Sequence, residues 1–470
     1  MPDSLTCDVA IIGAGTAGLA AERSARSNGA STMLIDPQFA GTTCATIGCM
    51  PSKLLIAAAN GAQSARDAKR FGIRVQDVKV DGPAVMARVQ AERDRFVRHT
   101  QDDITKIPEE IRICGRASFI SPDELALDDG RTIRAGAIVI ATGASPHVPE
   151  AYAELGSNIL TNETVFDLED LPASLAVIGS GAIGLELAQA MARLGVEVTI
   201  FDEGRRLGGV RCDKVHAALA SAIGEELTVR LGVKLQPGLA SDGITLSWSG
   251  DNSGKGTFEK VLVATGRRPN LQGLNLSASG LELDDHGVPR HDRATMRCGK
   301  SSIFMAGDAA QDLPLLHEAS HDGAIAGRNA AASPASVESE RFAPLAITFT
   351  SPSLCRIGQS EDEGVITATS DFRDQGRARV EGINRGVLTL YAAAPDGQLI
   401  GADMFAPAGE HLAHMLAWAV QMKLTATQLL EMPFYHPTIE EGLKPALRTI
   451  CAARPLALPA DQDSGTPPGG

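Results

Sequence analysis

Aromatic rings are scarce in this chain: Phe, Trp and Tyr make up only 4% of its 470 residues. Stacking platforms for single-stranded nucleic acid are built from such rings, so that class of function is not expected. Positive charge is also short, with 43 Lys and Arg against 57 Asp and Glu and a net charge of −14. That balance further argues against nucleic acid as a partner. No apolar run reaches transmembrane length, and Met1-Pro2-Asp3-Ser4-Leu5-Thr6 has neither the basic nor the apolar part of a secretory signal. No membrane partner is expected. The eight cysteines lack the regular spacing of a secreted disulfide framework. No second C-x-x-C or histidine pair completes four zinc ligands, so no metal is expected. Together these absences imply a cytoplasmic protein in a reducing compartment.

Glycine is abundant, at 48 residues, as tight turns and close backbone approaches to ligands require. The length predicts roughly three domains. Near the N-terminus an apolar strand, Val9-Ala10-Ile11-Ile12, runs into Gly13-Ala14-Gly15-Thr16-Ala17-Gly18. A helix follows, and then a second strand, Thr32-Met33-Leu34-Ile35, which ends at Asp36. Strand, G-x-G-x-x-G, helix, strand and acid form the dinucleotide-binding fingerprint. Gly13, Gly15 and Gly18 permit the turn, the pyrophosphate approach and close helix packing, while Asp36 accepts ribose hydroxyls.

The unit then repeats. Leu175-Ala176-Val177-Ile178 leads into Gly179-Ser180-Gly181-Ala182-Ile183-Gly184, a helix, and a strand ending at Asp202. First glycine and final acid are 23 positions apart in both copies, and the copies close on Ala141-Thr142-Gly143 and Ala264-Thr265-Gly266. Two dinucleotide sites in one chain predict electrons or hydride passing between them.

Within the first copy, residues 37 to 110 hold an insertion with two helices and the stretch Cys44-Ala45-Thr46-Ile47-Gly48-Cys49-Met50-Pro51-Ser52-Lys53. Residues 50 to 60 read as a helix beginning near Pro51. Both cysteines would lie in its positively polarised first turn, where a thiolate is favoured. A spacing of five does not align two side chains on a regular helix, so a disulfide here requires local distortion and would be labile. Two ordinary thiols, behaving as small hydrophobes, are the plain alternative.

Farther on, Ile303-Phe304-Met305-Ala306-Gly307-Asp308 reads as a short strand ending at an acid, and 315–329 as a helix. Residues 332–341 read as a linker. A separate α+β block begins at Ala343, with strands near 345–350, 387–394 and 399–405 and a helix at 409–423. Residues 456–470, rich in Pro, Gly and Asp, read as a disordered tail.

In combination these motifs resemble the class I pyridine nucleotide–disulfide oxidoreductases, and among them are most similar to dihydrolipoamide dehydrogenases. The resemblance runs from about residue 5 to 450. It rests on both fingerprints, Cys-x4-Cys-x-Pro-Ser-Lys, both Ala-Thr-Gly phrases, Ala306-Gly307-Asp308, Phe349-Thr350-x-Pro352 and His436-Pro437-Thr438-x-x-Glu441. Three positions depart from the common pattern: Thr42 replaces a second glycine, Phe434 stands two before His436, and Ala182 occupies a place held by tyrosine in some relatives.

The resemblance implies an α/β fold with two Rossmann-like dinucleotide-binding domains, for FAD and NAD, and a C-terminal α+β dimerisation domain. The implied boundaries are 1–148 for FAD with the cysteine insertion, 149–275 for NAD, 276–342 returning to the FAD domain, 343–455 for dimerisation, and 456–470 for the tail. FAD falls to Gly13, Gly15, Gly18, Asp36, Lys53, Thr142, Gly143 and Asp308. NAD falls to Gly179, Gly181, Ile183, Gly184, Asp202 and Gly266. The implied roles make Cys44 the interchange thiol, Cys49 the flavin contact, Lys53 and Glu186 an ion pair near the flavin, and His436 the general acid/base. Glu441 would orient His436, which the other subunit of a homodimer would supply. The implied substrate is a small dithiol, dihydrolipoamide first, free or on a lipoyl-carrying protein. The alternatives are an NAD(P)H-dependent reductase of another disulfide, similar to glutathione reductase, and a redox-silent flavoprotein acting as a binding subunit or sensor.

Overall fold

The computed structural model describes residues 4–153, 155–241, 243–360 and 364–453. The tail read at 456–470 therefore lies outside the described residues. The chain falls into two compact units. The first takes the N-terminal residues to Leu54, Ala87–His147 and Gly266–Arg341, and the second takes Leu55–Met86, Val148–Thr265 and the chain from Phe342 onward.

In the first unit, strands Arg112–Cys114, Thr32–Asp36, Ser4–Ile12 and Thr132–Ile140 lie side by side in parallel. The last half of Thr132–Ile140 pairs with Ile303–Met305, while its first half takes an antiparallel extension, Glu124–Leu127 and Ala117–Ser121. Val9, Ala10, Ile11, Ile138, Val139 and Ile140 are fully buried. Such uninterrupted apolar runs belong to parallel strands covered on both faces. Helices Thr16–Ser27 and Leu316–Ala331 cross closely: Gly323 and Gly327 lie against the backbone of Ala17 and Ala21, where a Cβ would not fit.

The second unit repeats the parallel motif with Thr228–Leu231, Glu197–Asp202, Ser174–Ile178, Lys260–Val263 and Ile159–Leu160. A three-stranded antiparallel sheet, Val233–Ala240, Gly243–Gly250 and Gly254–Phe258, is inserted before Lys260–Val263 and went unread in the sequence. The C-terminal block is a five-stranded antiparallel sheet in the order Leu345–Thr348, Ser353–Gly358, Leu399–Ala406, Val387–Ala392, Ile366–Asp371. Two of its strands, Ser353–Gly358 and Ile366–Asp371, were not expected. Leu388 and Leu390 face the apolar core shared with helices Gly409–Gln421 and Lys444–Ala452. Thr389 and Tyr391 alternate to the other face, where Thr389 meets Cys212.

The segment 332–341 is not a free linker. Val337 and Ser339 donate their N–H groups to Asn329 and Ala294, and Arg341 reaches Glu318 and Asp322. Arg341 thereby brings a cation to two carboxylates buried on helix Leu316–Ala331. No helix among the described residues is long and apolar enough to cross a membrane.

Candidate active site

Both glycine loops are built by the same hydrogen bonds. Gly13 donates to the Ile35 carbonyl at 2.8 Å and Ala141 to that of Ile12 at 2.9 Å. In the second copy Gly179 donates to Phe201 and Ala264 to Ile178, both at 2.8 Å. Gly13 and Gly179 hold φ of +105° and +101°, and a Cβ on either would strike the carbonyl of Ala141 or Ala264. Gly18 and Gly184 back onto the carbonyls of Gly13 and Gly179. Gly15 and Gly181 differ: they cap the following helices and face open space. The exposed helix N–H groups there suit a pyrophosphate.

The acid of each copy also braces its own loop. Asp36 accepts the Ala14 N–H at 3.0 Å and those of Gln38 and Phe39 at 3.0 and 2.7 Å. Asp202 accepts both the N–H and the hydroxyl of Ser180 at 2.6 Å, and the Gly204 N–H at 2.7 Å. Each carboxylate has about four acceptor positions, so capacity for a ribose remains. The neighbouring arginines are engaged elsewhere. Arg205 forks onto Asp251 at 2.7 Å, and Arg206 holds Val210, Arg211 and Asp213.

Close to the first loop, Gly307 abuts Ala17 of the loop's helix and starts the turn carrying Asp308. Burial raises the Asp308 carboxyl above its usual range, against the pull of Arg267, whose Nη2 lies 3.7 Å away. Thr142 Cα lies 3.2 Å from where a Gly13 Cβ would be.

The cysteines depart from the sequence expectation. Cys44 lies on a separate four-residue helix, Thr43–Thr46, while Cys49 opens the long helix Cys49–Asp67. Thr42 caps the short helix by accepting the Ala45 N–H. The helical run is interrupted at Ile47 and Gly48, and the two thiols lie in hydrogen-bond contact. Both are present as thiols. Gly48 makes this possible: a Cβ there would sit 2.9 Å from the Thr43 carbonyl oxygen and 3.3 Å from Cys44 Cα. A glycine just before the second cysteine was the available signal, and it was missed.

The hydrogen bond of Cys44 with Cys49 and its burial push its pKa far up, and Lys53 only partly opposes them. A base beside Cys44 would offset this cost of ionising it.

In the second unit, His436 Nδ1 lies 2.9 Å from Glu441 Oε2. Glu441 also accepts the Thr438 N–H and faces Lys444 Nζ at 3.4 Å; these bonds outweigh its burial and hold its carboxyl below the usual range. With Nδ1 donating to the carboxylate, Nε2 carries the lone pair. Lys444 in turn lies over the Phe434 ring at 5.0 Å, which accounts for an apolar residue at that position. Glu186, on helix Ala182–Arg193, accepts the N–H of Phe349 at 2.8 Å. That bond links the second fingerprint to the Phe349-Thr350-x-Pro352 motif.

Comparison with known proteins agrees with this architecture. Residues 7–323 match the pyridine nucleotide-disulphide oxidoreductase family, and 345–447 match its dimerisation domain. Dihydrolipoyl dehydrogenase of Bacillus subtilis is 31% identical over 453 residues, covering 93% of this chain and 97% of its own length. Mercuric reductase of Acidithiobacillus ferrooxidans is 32% identical over 467 residues, covering 95% and 83%. Among solved structures, LpdA from Mycobacterium tuberculosis has the same fold, with a TM-score of 0.81 at 24% identity over 94% of this chain and 99% of its own. The HOCl-induced flavoprotein disulfide reductase RclA from Escherichia coli gives 0.79 at 21% identity over 94% and 99%.

Proteins of this family use FAD and NAD(H). The residues present suit such groups: Gly15 and Gly181 leave room above two helix N-termini, and Thr142 Oγ1 and Arg267 Nε are buried with no partner among the described residues. Two fingerprints built bond for bond alike, a facing cysteine pair and matches spanning both halves of the chain lead to one conclusion: the chain belongs to the pyridine nucleotide-disulphide oxidoreductase family.

Proposed function

We propose that this protein is a cytoplasmic FAD-dependent disulfide oxidoreductase that moves electrons from a dithiol, dihydrolipoamide free or on a lipoyl-carrying protein, to NAD⁺. The observation that carries the reading is the Cys44–Cys49 pair, whose thiols lie in contact across the helix break at Ile47 and Gly48. In the oxidised form a substrate thiolate attacks Cys44 Sγ, the Cys44–Cys49 bond breaks and Cys49 leaves as a thiolate. The second substrate thiol then attacks the mixed disulfide, closing the substrate's own S–S bond and releasing Cys44. The substrate has lost two electrons and the cysteine pair has gained them. His436 Nε2 takes the substrate proton, and Glu441 holds the ring in that tautomer. Bound FAD supplies the two-electron relay between this pair and NAD⁺.

On this reading residues 1–148 with 276–342 bind FAD through Gly13, Gly15, Gly18, Asp36, Lys53, Thr142, Gly143 and Asp308. Residues 149–275 bind NAD through Gly179, Gly181, Ile183, Gly184, Asp202 and Gly266, and Lys53 and Glu186 take the family's role beside the flavin. The dimerisation-domain match over 345–447 supports a homodimer in which His436 and Glu441 serve the neighbouring subunit's cysteines. The deciding assay follows NAD⁺ reduction by free dihydrolipoamide beside NADPH oxidation by glutathione disulfide. Turnover in the first arm is expected. Turnover only in the second would replace the lipoyl substrate by another small disulfide, and flavin binding with neither activity would leave a redox-silent flavoprotein.

A further inference from the structure

Helix Leu316–Ala331 buries two carboxylates one turn apart, Glu318 at 1% and Asp322 at 2% exposure. Residues at i and i+4 share one helix face, so two such charges would repel unless a cation joined them. Arg341 supplies it: Nη2 lies 2.7 Å from Glu318 Oε2 and also meets Asp322 Oδ1. Arg293 Nη2 lies 4.0 Å from the same oxygen of Glu318. The other oxygen of Asp322, Oδ2, accepts the N–H of Gly307 at 3.2 Å.

Gly307 is buried, holds φ of +67°, and stands where strand Ile303–Met305 leaves the sheet. A Cβ on it would lie 2.8 Å from Ala17 Cβ and 3.3 Å from Ala319 Cβ, so it is pinched between the glycine-loop helix and Leu316–Ala331. The next residue is Asp308. The turn that aims Asp308 therefore has one side-chain acceptor for its first N–H, and that acceptor is held by a guanidinium delivered from the segment once read as a linker.

We propose that Asp322, clamped by Arg341 and Glu318, is a positioning residue for the flavin site: it fixes the Gly307 turn so that Asp308 is presented to bound FAD. The inference rests on the reading of Asp308 as a flavin-binding residue. Without Asp322 a buried N–H loses its acceptor, and Asp308 loses the geometry that the turn imposes on it.

The test titrates FAD into flavin-free protein by fluorescence quenching and records thermal unfolding of each flavin-free variant. Asp322→Ala should weaken FAD binding by about 10- to 100-fold, the range for losing a charge-assisted hydrogen bond. Asp322→Asn, near in shape and still able to accept the Gly307 N–H, should recover at least about threefold of that loss. The double variant Asp322→Ala/Arg341→Met returns the cluster to its wild-type net charge but takes the guanidinium from Glu318 and supplies no acceptor, so it should bind FAD no better than Asp322→Ala. Wild-type FAD affinity in Asp322→Ala, or recovery in the double variant, would overturn the proposal and make the cluster an ion pair for stability alone. Failure of the wild-type chain to bind FAD would instead overturn the flavin reading itself, and the proposal with it.

Discussion

Gly48 offers the most direct test of how the cysteine pair is made. Replacing it with alanine adds one methyl group at a place where the ideal Cβ sits 2.9 Å from the Thr43 carbonyl oxygen and 3.3 Å from Cys44 Cα. Both neighbours are backbone, so relief comes only by separating the Cys44 helix from the start of the Cys49 helix. Overpacking of this kind costs about 1 to 3 kcal/mol. The disulfide demands the closer approach, with Cα atoms within about 7 Å and Cβ atoms near 3.8 Å, so it bears more of the cost than the dithiol does. For a two-electron couple 1.4 kcal/mol corresponds to about 30 mV. Gly48→Ala should therefore raise the Cys44/Cys49 reduction potential by at most about 20 to 65 mV, destabilising the disulfide. The assay equilibrates protein with glutathione redox buffers of stepped potential and reads the dithiol fraction by alkylation and mass spectrometry. A potential within about 10 mV of wild type, with normal folding, would refute the claim that Gly48 is there to let the cysteines meet.

Three further outcomes are expected. Because Arg205 and Arg206 are tied to Asp251 and Asp213 and Asp202 would oppose a 2′-phosphate, NAD⁺ should exceed NADP⁺ by about 10- to 1000-fold in kcat/KM; equal use of NADP⁺ in steady-state kinetics would show that the arginines read the ribose. If His436 serves a neighbouring subunit, mixing inactive Cys44→Ser and His436→Ala proteins should regenerate activity in heterodimers, and proven subunit exchange without recovery would place both residues in one subunit's site. Buried His291 donates to Asp312 at 2.9 Å and to the Pro289 carbonyl at 3.1 Å; burial opposes its charge, but these bonds and the Asp312 charge raise its pKa. A raised folded pKa gives stability that is complete below the unfolded value near 6.5 and is lost as pH rises through the folded one. Wild type should thus exceed His291→Gln by about 1 to 3 kcal/mol near pH 6, with a smaller gap near pH 9 in denaturant titrations, and a gap independent of pH would remove this account.

The sequence by itself determined the two nucleotide folds, because their signals are local and of short period. Apolar strands buried on both faces must be uninterrupted, and positive φ at Gly13 and Gly179 excludes other residues. The acid 23 positions on follows from the lengths of one helix and one strand. The pattern His436 to Glu441 was legible for the same reason, since five residues of chain bring the ring to its carboxylate. Strands Ser353–Gly358 and Ile366–Asp371, and the sheet from Val233 to Phe258, were not legible. Their residues mix small, polar and apolar types, and only pairing with distant strands selects extension.

Tertiary structure decided what the charged residues do. Nothing in the spacing of Arg205 and Arg206 says that Asp251, some 46 positions away, captures the first of them. Arg341 reads as the end of a polar linker until the sheet and helix bring Glu318 and Asp322 beneath it. The cysteines show the same division on a smaller scale. Their identity and spacing marked a redox pair, but a spacing of five cannot say where a helix breaks. The break falls at Ile47 and Gly48, where the missing side chain of Gly48 lets its backbone lie close to Thr43 and Cys44.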